Sequence, residues 1–263
     1  MSQFGNAADL LAGLDDDRRA DGEAAGRGGV VRESSADGAE CRIVYSRCAE
    51  EEVDEVIAAE VALARSGGYT LEWKTYGHDE PSDLGARLVA AGFAPEAPES
   101  VLALRLDDTA LTAFDPTGFD VRRIADPRGL ADYAAISREI GRRNAEEERE
   151  RLARILRETP GAMSVHVAYV DGEPVAAGRV YFKEGSRFAE LAGARTKTTH
   201  RRQGLFIAAV GARLREARDR DRTHVFVDAL PTSESTLRKR GFELVTRTQP
   251  YIYEPEVRAA SNP

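Results

Sequence analysis

The sequence predicts an α/β fold in two related halves, and three observations carry that expectation. Short runs of alternating apolar residues, rich in Val, Ile, Tyr and Phe, take turns along the chain with segments of helical periodicity. Residues 196–217 (TKTTHRRQGLFIAAVGARLREA) begin basic and polar, and then Phe206, Ile207, Val210, Leu214 and Ala217 recur at the spacing of one helical face. Residues 88–93 (LVAAGF) match residues 237–242 (LRKRGF), each preceded by a long helical segment and a strand-like one. A diverged internal duplication explains the recurrence.

At 263 residues, 42% hydrophobic and 31% charged, the chain has the composition of a globular protein with room for two cores. Its net charge of −8 argues against nucleic acid as a partner, which calls for a basic domain. It has no apolar run of about 18 residues to cross a membrane, and residues 1–6 lack the basic-then-apolar layout of a signal peptide. A cytoplasmic protein without a membrane partner is expected. Cys41 and Cys48 would face opposite sides of a regular strand and read as packing residues rather than a disulfide. His78, His166, His200 and His224 show no ligand spacing, and no metal site is predicted.

Residues 1–40 open with a helix over 7–14 capped by Asn6. They continue as an acidic, Gly- and Ala-rich stretch with little to bury, so they read as a partly flexible, solvated extension. A strand over 41–45 follows, then a helix over 49–66 with Val53, Val56, Ile57, Val61 and Ala64 on one face and an acidic first turn that suits the helix dipole. Gly67 and Gly68 stop it. Residues 69–76 alternate as a strand, residues 82–91 form a helix ending at Gly92, and residues 100–106 form another strand. The polar stretch 107–117, with Pro116, is placed as the domain boundary. Beyond it come a strand over 119–124 and helices over 127–141 and 144–157, the latter with Leu152, Ile155 and Leu156 inward and its EEERER ladder in solvent. Strands over 163–170 and 175–182 are joined by Asp171-Gly172, a hairpin signal. A strand over 187–195, the long helix after Gly204, a strand over 224–229, a short helix over 233–240 and a strand over 251–253 complete the order.

The entrance to the long helix suits an anion. The first amides of a helix have no carbonyl partners and carry the positive end of its dipole. Gly204, without a Cβ, lets the main chain approach a pyrophosphate, and Arg201 and Arg202 add charge beside it. Strand, basic glycine loop, helix, strand, short helix and Gly-Phe in this order resemble the GNAT superfamily of acyl-CoA-dependent N-acetyltransferases. That superfamily's loop reads Gln or Arg, two residues, Gly, one residue, Gly or Ala; Arg201 and Gly204 match it and Phe206 departs from it. The segment EWKTYGHDEPSDL is similar to one in bacterial tandem members.

The resemblance implies a mixed, mostly antiparallel sheet flanked by helices, with a degenerate partial copy over 41–112 and a complete acetyl-CoA-binding domain over 118–256. It implies acetyl-CoA as cosubstrate, its pantetheine arm along the main chain of Ala194, Arg195 and Thr196. The pyrophosphate then falls to Arg201, Arg202, Gln203, Gly204, Leu205, Phe206 and Ile207. The N-terminal copy opens its long helix with CAEEE, carboxylates that repel a pyrophosphate, and reads as non-binding.

Transfer to an amine needs a base to take a proton from the nitrogen. Glu190, eleven residues before Arg201 in the triplet Phe188-Ala189-Glu190, stands where histone-type members of the resembled superfamily place theirs; Asp228 is the reserve. The superfamily's proton donor to the departing thiolate is a Tyr, and Leu237 occupies its place, which leaves Tyr251, Tyr253 or water. No Ser, Cys or His constellation supports a covalent intermediate, so direct transfer is expected. The acceptor is a small-molecule or protein amine. Phe206 and Leu237 motivate the alternative, an acetyl-CoA-binding pseudoenzyme or regulatory module without turnover.

Overall fold

The computed structural model describes residues 7–20, 22–24, 29–35, 38–124, 126–127 and 129–255; the Asn6 cap lies outside the described residues. Its elements in chain order are α1 (Ala7–Arg19), β1 (Glu23–Ala24), β2 (Val30–Ser34), β3 (Glu40–Ser46), α2 (Val53–Gly67), β4 (Thr70–Tyr76), α3 (Leu84–Ala90), β5 (Ala94–Pro95), β6 (Glu99–Arg105), α4 (Asp108–Ala113) and β7 (Asp120–Ile124). Then follow α5 (Leu130–Glu139), α6 (Ala145–Glu158), β8 (Met163–Val170), β9 (Glu173–Phe182), β10 (Phe188–Thr196), a 3-10 turn (Thr198–His200), α7 (Leu205–Asp219), β11 (His224–Ala229), α8 (Pro231–Arg238) and β12 (Glu243–Tyr253). Two compact units result: unit one is Met1–Val101 with Leu244–Pro263, and unit two is Leu102–Glu243.

Unit one carries strands in the order β1-β2-β3-β4-β12. Only β3 and β4 run parallel among these described pairs, from Glu40 opposite Thr70 to Ile43 opposite Trp73. A parallel pair needs a crossover, and α2 supplies it. The helix buries Val53, Val56, Ile57, Val61 and Ala64 on the expected face, against Leu71, Trp73, Leu84, Leu88 and Phe93. Cys41 and Cys48 form no disulfide and are buried in the same cluster.

As far as it is described, the stretch read as a solvated extension is built into this unit. β2 pairs with β3, and Leu10 and Arg18 are only 4% and 3% exposed. The reason lies far along the chain. The Arg18 guanidinium donates to both carboxylate oxygens of Asp79 at 2.9 Å and to the Val44 carbonyl at 3.0 Å, and lies 3.8 Å from the centroid of the Tyr76 ring. A buried cation with that many partners is tolerated.

Unit two carries strands in the order β6-β11-β10-β9-β8-β7. β7 through β10 pair antiparallel, and β10 with β11 parallel across the crossover α7. The β8–β9 turn has positive φ at both Asp171 (50°) and Gly172 (81°), the backbone of a type I′ hairpin. One face of the sheet packs on α7 through Val180, Leu191, Val210, Leu214 and Val225; the other packs on α5 and α6 through Tyr133, Leu152, Leu156, Val165 and Val167.

The polar stretch 107–117 is packed rather than linking. Asp107 caps α4 by accepting from the Ala110 amide at 2.9 Å, and Phe114 is fully buried, edge-on to Phe242 with ring centroids 5.7 Å apart. The division into units falls instead at Val101 and Leu102, and again after Glu243. β12, expected with the acetyl-CoA domain, counts with unit one because it pairs with β4 from Thr248 opposite Tyr76 to Tyr253 opposite Leu71.

The two units share local geometry where the sequence repeats. α2 and α7 are both 15 residues long and each joins a parallel strand pair. In both copies the Phe amide bonds back to the Leu carbonyl five residues earlier, Phe93 to Leu88 at 3.1 Å and Phe242 to Leu237 at 3.3 Å. Both intervening glycines, Gly92 and Gly241, have positive φ, as this helix ending requires.

Candidate active site

The ladder between β10 and β11 ends early. Residues Phe188 to Leu191 pair with His224 to Val227, yet β10 runs on to Thr196 and β11 to Ala229. On its other edge β10 stays paired with β9, with a bulge between Ala192 and Arg195 where Gly193 takes φ +58. The strands therefore part at the bulge, and the β11-facing main chain of Ala194, Arg195 and Thr196 borders the gap.

The chain then turns into α7. Arg202 and Gly204 both adopt left-handed backbone, φ +63 and +84, and Arg201, Arg202, Gln203 and Gly204 are exposed. The first helical bond is Ala208 N–H to Gly204 O at 2.9 Å, and no side chain caps the turn before it. The amides of Leu205, Phe206 and Ile207 thus head the helix dipole without a helical acceptor. Leu205 is buried against Ala168, Val175 and Ala176, while Phe206 and Ile207 pack half-buried on the α7 core cluster. The ring beside Gly204 is that of Phe119: a Cβ on Gly204 would meet Phe119 Cζ at 2.8 Å. The bare Gly204 backbone, two arginines and three leading amides suit a pyrophosphate, and the open edge of β10 suits an extended amide arm.

Glu190 is exposed on β10, opposite Tyr181 of β9 and Phe226 of β11. Its neighbours Ala189 and Leu191 belong to the α7-side core, so alternation puts Glu190 on the face that carries Tyr181 and the α5–α6 pair. Asp228, two residues beyond Phe226, shares that face by the same alternation and is half-buried. Leu237 sits in the α7-side core. Tyr251, the tyrosine named as a proton donor, is 9% exposed within the core of unit one, and its hydroxyl donates to Gln249 Oε1 at 3.2 Å.

Beneath the bulge lies a polar cluster that sequence reasoning missed. The Glu148 carboxylate, read as part of a solvated ladder, accepts from Arg195 at 2.8 and 3.2 Å, from Tyr133 Oη at 3.3 Å, and from Arg179. Burial works to raise its pKa, but Arg195 and Arg179 outweigh burial and hold it below the usual carboxylate range. Burial pushes the Tyr133 phenol up to about 12 despite the same arginines. On the opposite face of β9, Arg213 is 1% exposed and donates to the carbonyls of Ala209 (2.9 Å), Arg179 (3.1 Å) and Ala192 (3.5 Å); burial lowers its pKa to about 10. The available signal was Arg179 itself, an arginine inside the apolar run PVAAGRVYF.

Solved structures share this architecture. A GCN5-related N-acetyltransferase from Kribbella flavida is 17% identical, with 94% of this chain and 95% of that one covered at a TM-score of 0.65. A functionally unknown protein from Staphylococcus epidermidis is 11% identical over 91% and 97% of the two chains, TM-score 0.67. A tandem GNAT protein from the clavulanic acid biosynthesis pathway is 15% identical over 88% and 81%, TM-score 0.58. No protein-family model matches the chain, and no curated protein matches it by sequence. The chain has the GNAT fold, a mixed and mostly antiparallel sheet flanked by helices. At these identities the likeness carries the fold and not the activity.

Proposed function

We propose that unit two is an acetyl-CoA-dependent N-acetyltransferase that acts on an amine by direct transfer. The observation that carries the reading is the gap between β10 and β11 leading straight into the uncapped start of α7 at Gly204. Ala194, Arg195 and Thr196 would line the pantetheine arm through their main chain, and residues 201–207 would hold the pyrophosphate. Acetyl-CoA supplies the thioester acetyl group. Glu190, exposed on the acceptor-side face, takes the proton that the amine must lose, and water serves the departing thiolate, since Leu237, Tyr251 and Tyr253 are all buried in cores. The shared crossover and helix ending support descent of the two units from tandem copies. Unit one starts its α2 with Glu52, Asp54 and Glu55, where carboxylates oppose a pyrophosphate. We read it as the non-binding copy.

The buried Leu237 favours a second reading, a module that binds acetyl-CoA without turnover. Calorimetric titration with acetyl-CoA, followed by a thiol-release assay over a panel of amines, separates the two. Binding with thiol release supports the transferase, binding without release on any amine supports the module, and no binding overturns both.

A further inference from the structure

Two arginines, Arg179 and Arg195, share one carboxylate, Glu148, beneath the bulge. Arg179 presses on Gly193, Arg195 lies beside it, and the Glu148 carboxylate meets both; Arg213 lies on the opposite face of β9. Arg213 donates to main-chain carbonyls. Arg179 is the residue with capacity to spare. It is 9% exposed, gives one nitrogen to Glu148, and leaves its Nε buried without an acceptor. An orphaned donor on a buried guanidinium is costly, and a ligand anion is the partner that would relieve it.

The position of that guanidinium points to what the anion belongs to. A Cβ built on Gly193 would stand 2.8 Å from Arg179 Cζ and 2.8 Å from Tyr133 Oη, so the guanidinium presses on the backbone where β10 leaves β11. Tyr181, the register partner of Glu190, lies two residues along β9 from Arg179, and its ring is 5.8 Å from the Arg179 guanidinium. Arg179 is itself opposite Ala192. Glu190 and Arg179 are thus diagonal neighbours on one face, with Cβ atoms about 7 Å apart by sheet geometry. Arg179 is the guanidinium next to Glu190 along that face.

We propose that the acceptor is an amine that also bears a carboxylate, with Arg179, flanked by Arg195 and Tyr133, as the carboxylate site. The proposal rests on the transferase reading of unit two. A guanidinium fork matches a carboxylate in plane, and Glu148 already demonstrates the fit from inside the protein. Glu148 holds the two arginines in place and leaves Arg179 Nε for the ligand.

The test uses the full chain and matched probes: glycine, β-alanine, γ-aminobutyrate and glutamate, each against its amide or decarboxylated counterpart, titrated calorimetrically with and without acetyl-CoA. At least one acid should bind 30-fold or more tighter than its neutral partner. Arg179→Lys should reduce that preference to less than threefold while leaving acetyl-CoA affinity within twofold. Acids that bind no better than their neutral partners, or no probe binding at all, would overturn the proposal on the wild-type protein alone. A preference that survives Arg179→Lys would overturn the assignment to Arg179. Loss of the transferase reading shows separately, as absent acetyl-CoA binding or absent thiol release with the carboxylate preference intact.

Discussion

Replacing Gly204 by Ala and by Glu separates backbone strain from ligand binding. Gly204 sits at φ +84 and ψ −14, where an L-residue costs about 1–2 kcal/mol. The added Cβ would also meet Phe119 Cζ at 2.8 Å, but that ring is 38% exposed and has solvent to swing into. Both variants should therefore lose about 1–2 kcal/mol in urea unfolding followed by circular dichroism. The new carboxylate stands at the positive end of α7 and recovers about 0.3–1 kcal/mol, so Gly204→Glu should be no less stable than Gly204→Ala. Acetyl-CoA should rank them the other way. A carboxylate about 5 Å from a pyrophosphate charge, at an effective dielectric of about 20–40, costs roughly 2–3 kcal/mol, or roughly 30- to 150-fold in Kd. Calorimetric titration reads this directly. A Gly204→Glu protein that binds acetyl-CoA as tightly as wild type, or more tightly than Gly204→Ala, would refute the placing of the pyrophosphate.

Glu190→Gln should lower kcat about 100-fold or more at neutral pH with acetyl-CoA affinity within twofold, measured by thiol release and calorimetry; an unchanged rate removes Glu190 from the mechanism. Tyr251→Phe should leave kcat unchanged and cost about 0.5–1.5 kcal/mol of stability, the worth of the bond to Gln249. A large fall in kcat would return Tyr251 to the proton-donor role. Unit two should also lose stability as pH falls. His166 is 4% exposed, and burial lowers its pKa from 6.5 to about 4 despite Glu216 Oε2 at 3.4 Å from Nε2. Because the folded pKa is depressed, the unfolded chain takes up the proton first. The contribution is complete above pH about 6.5 and declines towards pH 4 by about 3 kcal/mol. Urea midpoints between pH 7 and 4.5 should show this slope in wild type and lose it in His166→Gln; equal slopes would contradict it.

Local patterns made much of the fold legible. The helical period of Val53, Val56, Ile57, Val61 and Ala64 marked the buried face of α2, and Asp171-Gly172 marked the hairpin, because both signals are complete within a few residues. Distant partners hid the rest. Glu148 belongs by local pattern to an exposed charge ladder, and only Arg179 and Arg195, 31 and 47 residues on, draw it inward. Arg18 lies in an acidic segment with little apolar to bury, and its partner Asp79 is 61 residues away. Strand β12 was legible only over 251–253; it runs from Glu243, with Pro250 accommodated opposite Lys74. In the candidate site, the glycine loop was visible from spacing, whereas Phe119 beside Gly204 and Tyr133 beside Gly193 approach from other elements.

Hydrogen exchange of the full chain with and without saturating acetyl-CoA tests the central claim most directly, because it reads the main-chain groups assigned to the ligand. Protection should rise across 194–196 and 202–207 in unit two and stay unchanged over 49–56 at the start of α2. Unchanged exchange over 202–207 with the ligand bound, or protection centred on α2 instead, would contradict the account.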